Sequence, residues 1–348
     1  MSHSDNDLST ELSPHAYQWR GLISAKRTFL SCDWGTTSFR LRLVECDSLR
    51  VIAEENSKEG ISATVNFWQK ADQPPQHRTK YYLAVVQRHI KKIEAVISTS
   101  LDDICIVISG MASSNIGMVE LPYKRLPFAA DGSDLFTRTL PPTVDFRHAT
   151  LLISGARSDD DVMRGEETQL VGSCFSNAPE PQMFLHPGTH AKHVLVENGR
   201  AISLKTYMTG EIFSLLSTQS ILADSLEEGG MLDVPVNHEW FELGVRESQQ
   251  LNLLHAAFLV RTRDLFKQIT RKQNYFYLSG LLIGCECRDL LNSVPSSITL
   301  AGEPRLTASY LAALHTLGIT QKCLVRSMLG NEVTLNGQHA MMKQRLDD

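Results

Sequence analysis

Twice along this chain a short apolar run breaks at a glycine–threonine turn and resumes at once as a second extended run. No other feature limits its possible folds so tightly. In TFLSCDWGTTSFRLRL, Thr28 to Asp33 reads as a strand ending at Gly35, and Phe39, Leu41 and Leu43 then alternate with Arg40 and Arg42 as a half-buried strand of period two. In MFLHPGTHAKHVLVENGR, beginning near Met183, strand, turn and strand recur, followed by an Asn-Gly hairpin signal. A third strand follows each time, Val51 to Glu55 and then AISLKTY, and the first three suggest an antiparallel meander. Helices come next: Lys80 to Ser98, with Leu83, Val86, Ile90, Ile93 and Ile97 on one stripe, and in the second half Glu211 to about Leu222, with more helix over Leu243 to Phe266. ICIVISG (Ile104 to Gly110) and TLLISG (Thr150 to Gly155) read as strands in the first half, YFYLSG and SITLAG as strands running into helices in the second. The doubled order predicts an α/β chain of two related domains with a cleft between them.

The length fits that reading, since 348 residues hold two domains at about 150 each. The expected division is a polar extension over 1–27, a first domain over 28–180 and a second over 181–348. Thirty-nine acidic against 34 basic residues leave a formal charge of -5, which argues against a nucleic-acid partner, because phosphate backbones need clustered Lys and Arg. No run of 18 uncharged apolar residues occurs, so no membrane partner is expected, and MSHSDNDLSTELSPHAYQW lacks the apolar segment of a secretory signal. The seven cysteines, Cys32, Cys46, Cys105, Cys174, Cys285, Cys287 and Cys323, form no C-x-x-C pair and mostly sit in apolar runs. Buried free thiols in a reducing, cytoplasmic setting are the expectation.

The turns themselves suggest chemistry. In CDWGTTSFR, Asp33 ends a strand, Gly35 lets the backbone turn closely, and Thr36 and Thr37 offer hydroxyls and amides to an anion. A carboxylate there suits Mg²⁺, which keeps much of its water. The other reading is a tight hairpin whose Gly and Thr are turn chemistry alone. HPGTHAKH repeats the device, and a pair of such turns, one per domain, suits the β- and γ-phosphates of ATP. His186, His190 and His193 offer a rival metal reading, but Pro187 and Gly188 break any helix and strand alternation sends His190 and His193 to opposite faces. The long segment Met111 to Pro142 reads as a binding element.

DWGTTSFR, GEETQLVG, PGTHAK, YMTGE, LSGLLIG and LAGEP together resemble the 2-dehydro-3-deoxygalactonokinases, from about Thr28 to at least Leu314. These belong to the acetate and sugar kinase, heat-shock protein and actin superfamily, so the resemblance implies two ribonuclease H-like domains and an ATP- and Mg²⁺-dependent kinase acting on a small sugar acid. It implies Asp33 in the Mg²⁺ shell and phosphate contacts from Gly35, Thr36, Thr37, Gly188, Thr189 and Lys192, the last also readable as a solvent-facing strand residue. The general base is expected at Glu166, first acid of GEETQ, with Asp161 as competitor; acids there also suit a helix N-terminus. Arg164 suits the sugar carboxylate, ahead of Lys124, Arg125 and Arg157. Ser113, Ser114, Asn115 and Glu120, in GMASSNIGMVELPY, are candidates for the sugar hydroxyls or for plain loop caps. That loop departs from the common family pattern at Ser113-Ser114 and Gly117-Met118. Gly280 and Gly302 are expected to end strands beside the adenine, where a backbone must approach closely, or to serve helix-start geometry alone. Two alternatives stay open: a kinase for another keto sugar acid or ketose, and an ATP-driven conformational switch for a protein partner.

Overall fold

The computed structural model describes residues 27–72, 74–173 and 179–347, so the polar extension and Cys174 lie outside the described residues. The chain divides into two compact units, one of residues 1–123, 135–155 and 335–348, the other of 124–134 and 156–334. The sequence expectation put one boundary at 180; compactness instead groups 156–180 with the second unit and residues 335–348 with the first.

The first unit is built on β1 (Thr28–Trp34), β2 (Phe39–Glu45), β3 (Val51–Ser57), α1 (Ile61–Lys70), α2 (Arg78–Ile97) and β4 (Ile106–Gly110). After β5 (Lys124–Arg125) and β6 (Phe128–Ala129), which belong to the second unit, it resumes with β7 (Thr137–Leu140) and β8 (Thr150–Ile153). Its sheet runs β3-β2-β1-β4-β8-β7. β1, β2 and β3 form the expected antiparallel meander, whereas β1, β4 and β8 are parallel. Central β1 is buried on both faces, as a strand covered by helices must be. Leu30, Cys32 and Trp34 join Leu41, Tyr82, Val86 and Ile90 in one core, with α2 supplying the last three.

The other face of β1 is closed from far along the chain. Helix α9, numbered in sequence after the elements below, spans Gly330–Asp347. Its His339 stacks on Phe29 at 5.7 Å between centroids, and Gln338 Nε2 donates to Cys32 O and Ser109 Oγ at 2.8 Å each.

The second unit carries β9 (Ala156–Arg157), β10 (Val162–Met163), α3 (Glu166–Ser173), β11 (Gln182–His186), β12 (Ala191–Glu197), β13 (Arg200–Tyr207) and α4 (Thr209–Thr218). Then come α5 (Pro235–Gln250), α6 (Leu253–Leu265), α7 (Arg271–Cys287), β14 (Ser297–Gly302), α8 (Pro304–Thr316) and β15 (Leu324–Leu329). Its main sheet runs β15-β14-β11-β12-β13-β6, and β5, β9 and β10 make a small second sheet. Stripped of edge additions, the two main sheets share one order and one pattern of directions, β3-β2-β1-β4-β8 and β13-β12-β11-β14-β15. This is a duplicated ribonuclease H-like fold. The hairpin between β12 and β13 turns at Asn198 and Gly199, both at positive φ, as the Asn-Gly signal predicts.

The segment YFYLSG corrects the sequence reading. It is no strand but the middle of α7, opened by a capping box between Thr270 and Gln273. Its glycines serve helix packing. A Cβ on Gly280 would stand 2.0 Å from Phe241 O, one on Gly284 2.9 Å from Val245 Cα, and one on Gly244 of α5 2.2 Å from Tyr277 O. Only bare backbones let α5 and α7 approach so closely. The helices expected over Leu243 to Phe266 are α5 and α6, divided at Asn252, whose side chain caps Leu254 N; α5 starts earlier, at Pro235. Among the described residues no helix is long and apolar enough to cross a membrane. The six described cysteines are free; Cys32, Cys105 and Cys287 are buried, while Cys46, Cys285 and Cys323 are partly so.

Candidate active site

In the first unit the expected residues gather where β1 leaves the sheet. Asp33, half-buried, stands opposite Arg40 on β2 and in register with Ser109 on β4. Gly35 N donates to Ser38 O at 2.9 Å, which leaves Thr36 and Thr37 exposed at the tip. The tip is held from behind by residues that no sequence motif singled out. Ile61 N and Ser62 N, opening α1, donate to Gly35 O and Thr36 O at 3.0 Å each. A Cβ on Gly60 would stand 2.4 Å from Thr36 O. With those carbonyls tied backward, the turn's exposed face is left to its amides and hydroxyls, the polarity an anion needs.

The long loop starts at the same sheet edge. Gly110, at φ +89°, packs so closely on Trp34 that a Cβ would stand 2.7 Å from its carbonyl oxygen. Ser113 and Ser114 are buried, with hydroxyls donated to Ile153 O and Met111 O at 2.7 Å each, so they cap the loop. Asn115 and Glu120 are exposed. Arg78 donates to Asn115 O at 2.5 Å and Tyr82 to Ile116 O at 2.7 Å, anchoring the loop on α2.

The second unit repeats the backed turn. Between β11 and β12, Glu211 N of α4 donates to Thr189 O at 3.0 Å, and a Cβ on Gly210 would stand 2.5 Å from Gly188 O. A Cβ on Gly188 itself would meet nothing within 4 Å, so the front of this turn is open. Gly302 does end a strand, β14, and a Cβ there would lie 3.4 Å from Pro187 Cδ. Gly280 loses its expected setting, because the helix interface above closes over it.

Beside the Gly188 turn lies a cavity of about 230 Å³, walled by Phe213, Tyr275, Phe276, Leu282, Ile283 and Tyr310, with Thr209, Ser279, Arg305 and Ser309 as its polar points. A mostly apolar wall with a few placed polar groups suits a flat heterocycle. Behind it Glu286, 3% exposed, accepts from Tyr310 OH at 2.6 Å, from Thr209 Oγ1, and from His193 Nε2 at 2.8 Å. Burial, and then the Glu286 charge, push the Tyr310 phenol well up, so it stays a donor. The quoted motifs YMTGE and LSGLLIG contain Thr209, Gly210, Ser279, Leu282 and Ile283, but none of these was singled out from sequence as a contact.

The acidic segment lies in the same unit. Asp161 spends both oxygens on β13, accepting from Thr206 N at 2.6 Å and Thr206 Oγ1 at 2.5 Å. Glu166 opens α3, accepts from Arg164 N at 3.0 Å and lies 3.5 Å from Lys192 Nζ. Lys192 corrects the solvent-facing reading: it is buried, and it also donates to His190 O at 2.9 Å. Glu167, fully buried, accepts from Gly165 N at 2.7 Å; burial and the adjoining Glu166 push its carboxyl up to about 8. His186 is held neutral by burial, its pKa brought down to about 3. Arg164 is half-buried, Lys124 and Arg125 pair with Asp134 and Asp159, and Arg157 is exposed.

Residues 33–341 match the 2-keto-3-deoxy-galactonokinase family. The chain is 29% identical over 303 residues to a protein of Rhizobium meliloti named probable 2-dehydro-3-deoxygalactonokinase, covering 85% of this chain and 92% of that one. It is 27% identical over 311 residues to the 2-dehydro-3-deoxygalactonokinase of Escherichia coli, covering 87% and 93%. A crystal structure from Sinorhizobium meliloti, assigned as a 2-dehydro-3-deoxygalactonokinase, superposes with a TM-score of 0.72 at 27% identity, covering 89% of this chain and 94% of that one.

Proposed function

The chain belongs to the 2-keto-3-deoxy-galactonokinase family of sugar-acid kinases, and from that premise we propose that it transfers the terminal phosphoryl group of ATP to the 6-hydroxyl of 2-dehydro-3-deoxy-D-galactonate. The observation that carries this reading is the pair of backed turns. Each is tied to a helix N-terminus with a glycine behind it, through Gly35 O and Thr36 O in the first and Thr189 O in the second, so that the amides of Thr36 and Thr37, and of Gly188 and Thr189, serve phosphate oxygens. The cavity beside Gly188 takes the nucleoside, with Tyr275 and Phe213 against the base.

Asp33 is the group that would hold Mg²⁺. Among the described residues no three His, Cys, Asp or Glu are grouped to hold a metal ion. One carboxylate nevertheless fits Mg²⁺, which takes its other oxygens from water and substrate phosphates. When bound, the ion neutralises charge on those phosphates.

Glu166 accepts the proton of the attacking hydroxyl on its carboxylate, because Asp161 is already committed to Thr206. Lys192 balances the Glu166 charge and, with one ammonium proton beyond those aimed at His190 O and Glu166, has a donor left for phosphate. Arg164 pairs with the sugar carboxylate. Ser113 and Ser114 hold the loop, which leaves Asn115 and Glu120 to meet sugar hydroxyls.

The test is ADP release from ATP and Mg²⁺ across a panel of keto-deoxy sugar acids, with Asp33→Asn beside the wild type. The galactonate-derived acid should give the highest kcat/KM, and Asp33→Asn should nearly abolish turnover. Slow ATP hydrolysis indifferent to every sugar acid would overturn the kinase reading in favour of an ATP-driven switch. Near-normal turnover of Asp33→Asn would remove that residue from the metal site.

A further inference from the structure

Glu286 lies on α7, remote in sequence from both the glycine–threonine turn and the acidic segment, and no step of the reaction uses it. It is nevertheless almost wholly buried, and an ionised carboxylate in such a place is costly unless its oxygens are filled. Three donors from three other elements fill them. His193 comes from β12, Thr209 opens α4, and Tyr310 lies in α8. Two of these donors also line the cavity beside Gly188. Thr209 adjoins Gly210, whose backbone presses on Gly188 O, and Glu211 N, which holds Thr189 O. One carboxylate thus fixes the start of the helix that backs the phosphate turn and the phenol that walls the nucleoside cavity.

We propose that Glu286 is a positioning residue for the nucleotide, setting the Gly188–Thr189 turn and the cavity wall at Tyr310 in mutual register through Thr209 and Tyr310. The inference rests on the nucleotide-binding reading above. Groups acting through a shared buried carboxylate lose their alignment together when it is removed, and a displacement of about 1 Å at a reacting group is enough to cost on the order of a hundredfold. The effect should fall on ATP and ADP, because His193, Thr209 and Tyr310, the described hydrogen-bond partners of Glu286, lie outside the segment proposed to bind the sugar acid.

The experiment compares wild type, Glu286→Gln and Tyr310→Phe by calorimetric ADP binding and by separate KM values for ATP and sugar acid, with circular dichroism to establish folding. Tyr310→Phe withdraws one donor, keeps the ring, and serves if Glu286→Gln does not fold. The expected result is about a tenfold weaker ADP affinity and higher KM for ATP in Glu286→Gln, a smaller change of the same kind in Tyr310→Phe, and a sugar-acid KM within twofold of wild type. Folded variants with ADP affinity within twofold of wild type would overturn the proposal. So would an equal rise in both KM values, which marks a merely structural carboxylate. A wild type that binds no ADP would instead overturn the nucleotide reading beneath it.

Discussion

Replacing Gly210 with alanine tests how rigidly α4 sets the second turn. The new Cβ would stand 2.5 Å from Gly188 O and 2.8 Å from Thr189 Cα, where ordinary contact begins at 3.4 Å. Both obstacles are backbone, so the turn or the helix must withdraw by about 0.9 Å to restore the first contact. Alanine gains up to about 1 kcal/mol in helix propensity, whereas overpacking of this kind costs about 1–3 kcal/mol. The propensity gain offsets only part of this, leaving a net loss of up to about 2 kcal/mol, and the melting temperature should fall by a few degrees. Nothing offsets the change in placement. A phosphate cradle moved by roughly 1 Å should lose on the order of a hundredfold in kcat/KM for ATP. Steady-state ADP release at saturating sugar acid measures this, with Gly188→Ala as companion. That substitution meets no neighbour within 4 Å, so it should leave the melting temperature unchanged and still weaken ATP by tenfold or more through the space it fills. A Gly210→Ala protein with kcat/KM for ATP within threefold of wild type would refute the idea that this contact places the turn.

Glu166→Gln should lower kcat by roughly 10²–10⁴ while KM for ATP changes little; an unaltered kcat would move the base elsewhere. Burial and the adjoining Glu166 push the Glu167 carboxyl up to about 8 from an ordinary 4.5. Between those values the native protein keeps a proton that the unfolded chain releases, so stability falls as pH rises through the window, at up to about 1.4 kcal/mol per pH unit. Calorimetric melting at pH 6 and pH 8 should therefore show a smaller drop for Glu167→Gln than for wild type, and equal drops would contradict the assignment. Gln338→Leu leaves Cys32 O and Ser109 Oγ without their 2.8 Å donor, and denaturant titration should report a loss of about 1–3 kcal/mol at constant slope. No shift in the midpoint would mean that α9 adds little to the first unit.

What the sequence made legible depended on whether a signal was local. The six strands of the two meanders stand where period-two alternation and the Asn-Gly turn put them, because those patterns are written within a few consecutive residues. The same holds for both glycine–threonine turns and the helix opening at Glu166. Gly280 misled because a glycine says only that a backbone approaches something; here the something is Phe241, thirty-nine positions earlier. The aromatic run YFYL favours a strand by composition, but the capping box at Thr270 and the α5 contact decided for helix. Gly60 and Glu286 carried no local mark, and Gly210 only its place in YMTGE, since their importance lies in contacts with distant segments. Lys192 carried two readings for a similar reason: alternation along β12 says which face a side chain takes, not that the face is covered by the acidic segment, and burial removes only the solvent-facing one.

One consequence of α9 concerns synthesis. At about 5–20 residues per second, β1 leaves the ribosome long before the helix that stacks on its Phe29 exists. For tens of seconds the first sheet has one finished face and one bare apolar face, so its final closure waits on polymerisation of nearly everything downstream. Maturation of the first unit is thereby coupled to translation of a segment about three hundred residues downstream of β1, and a nascent chain stalled before residue 335 would present that unfinished face to chaperones.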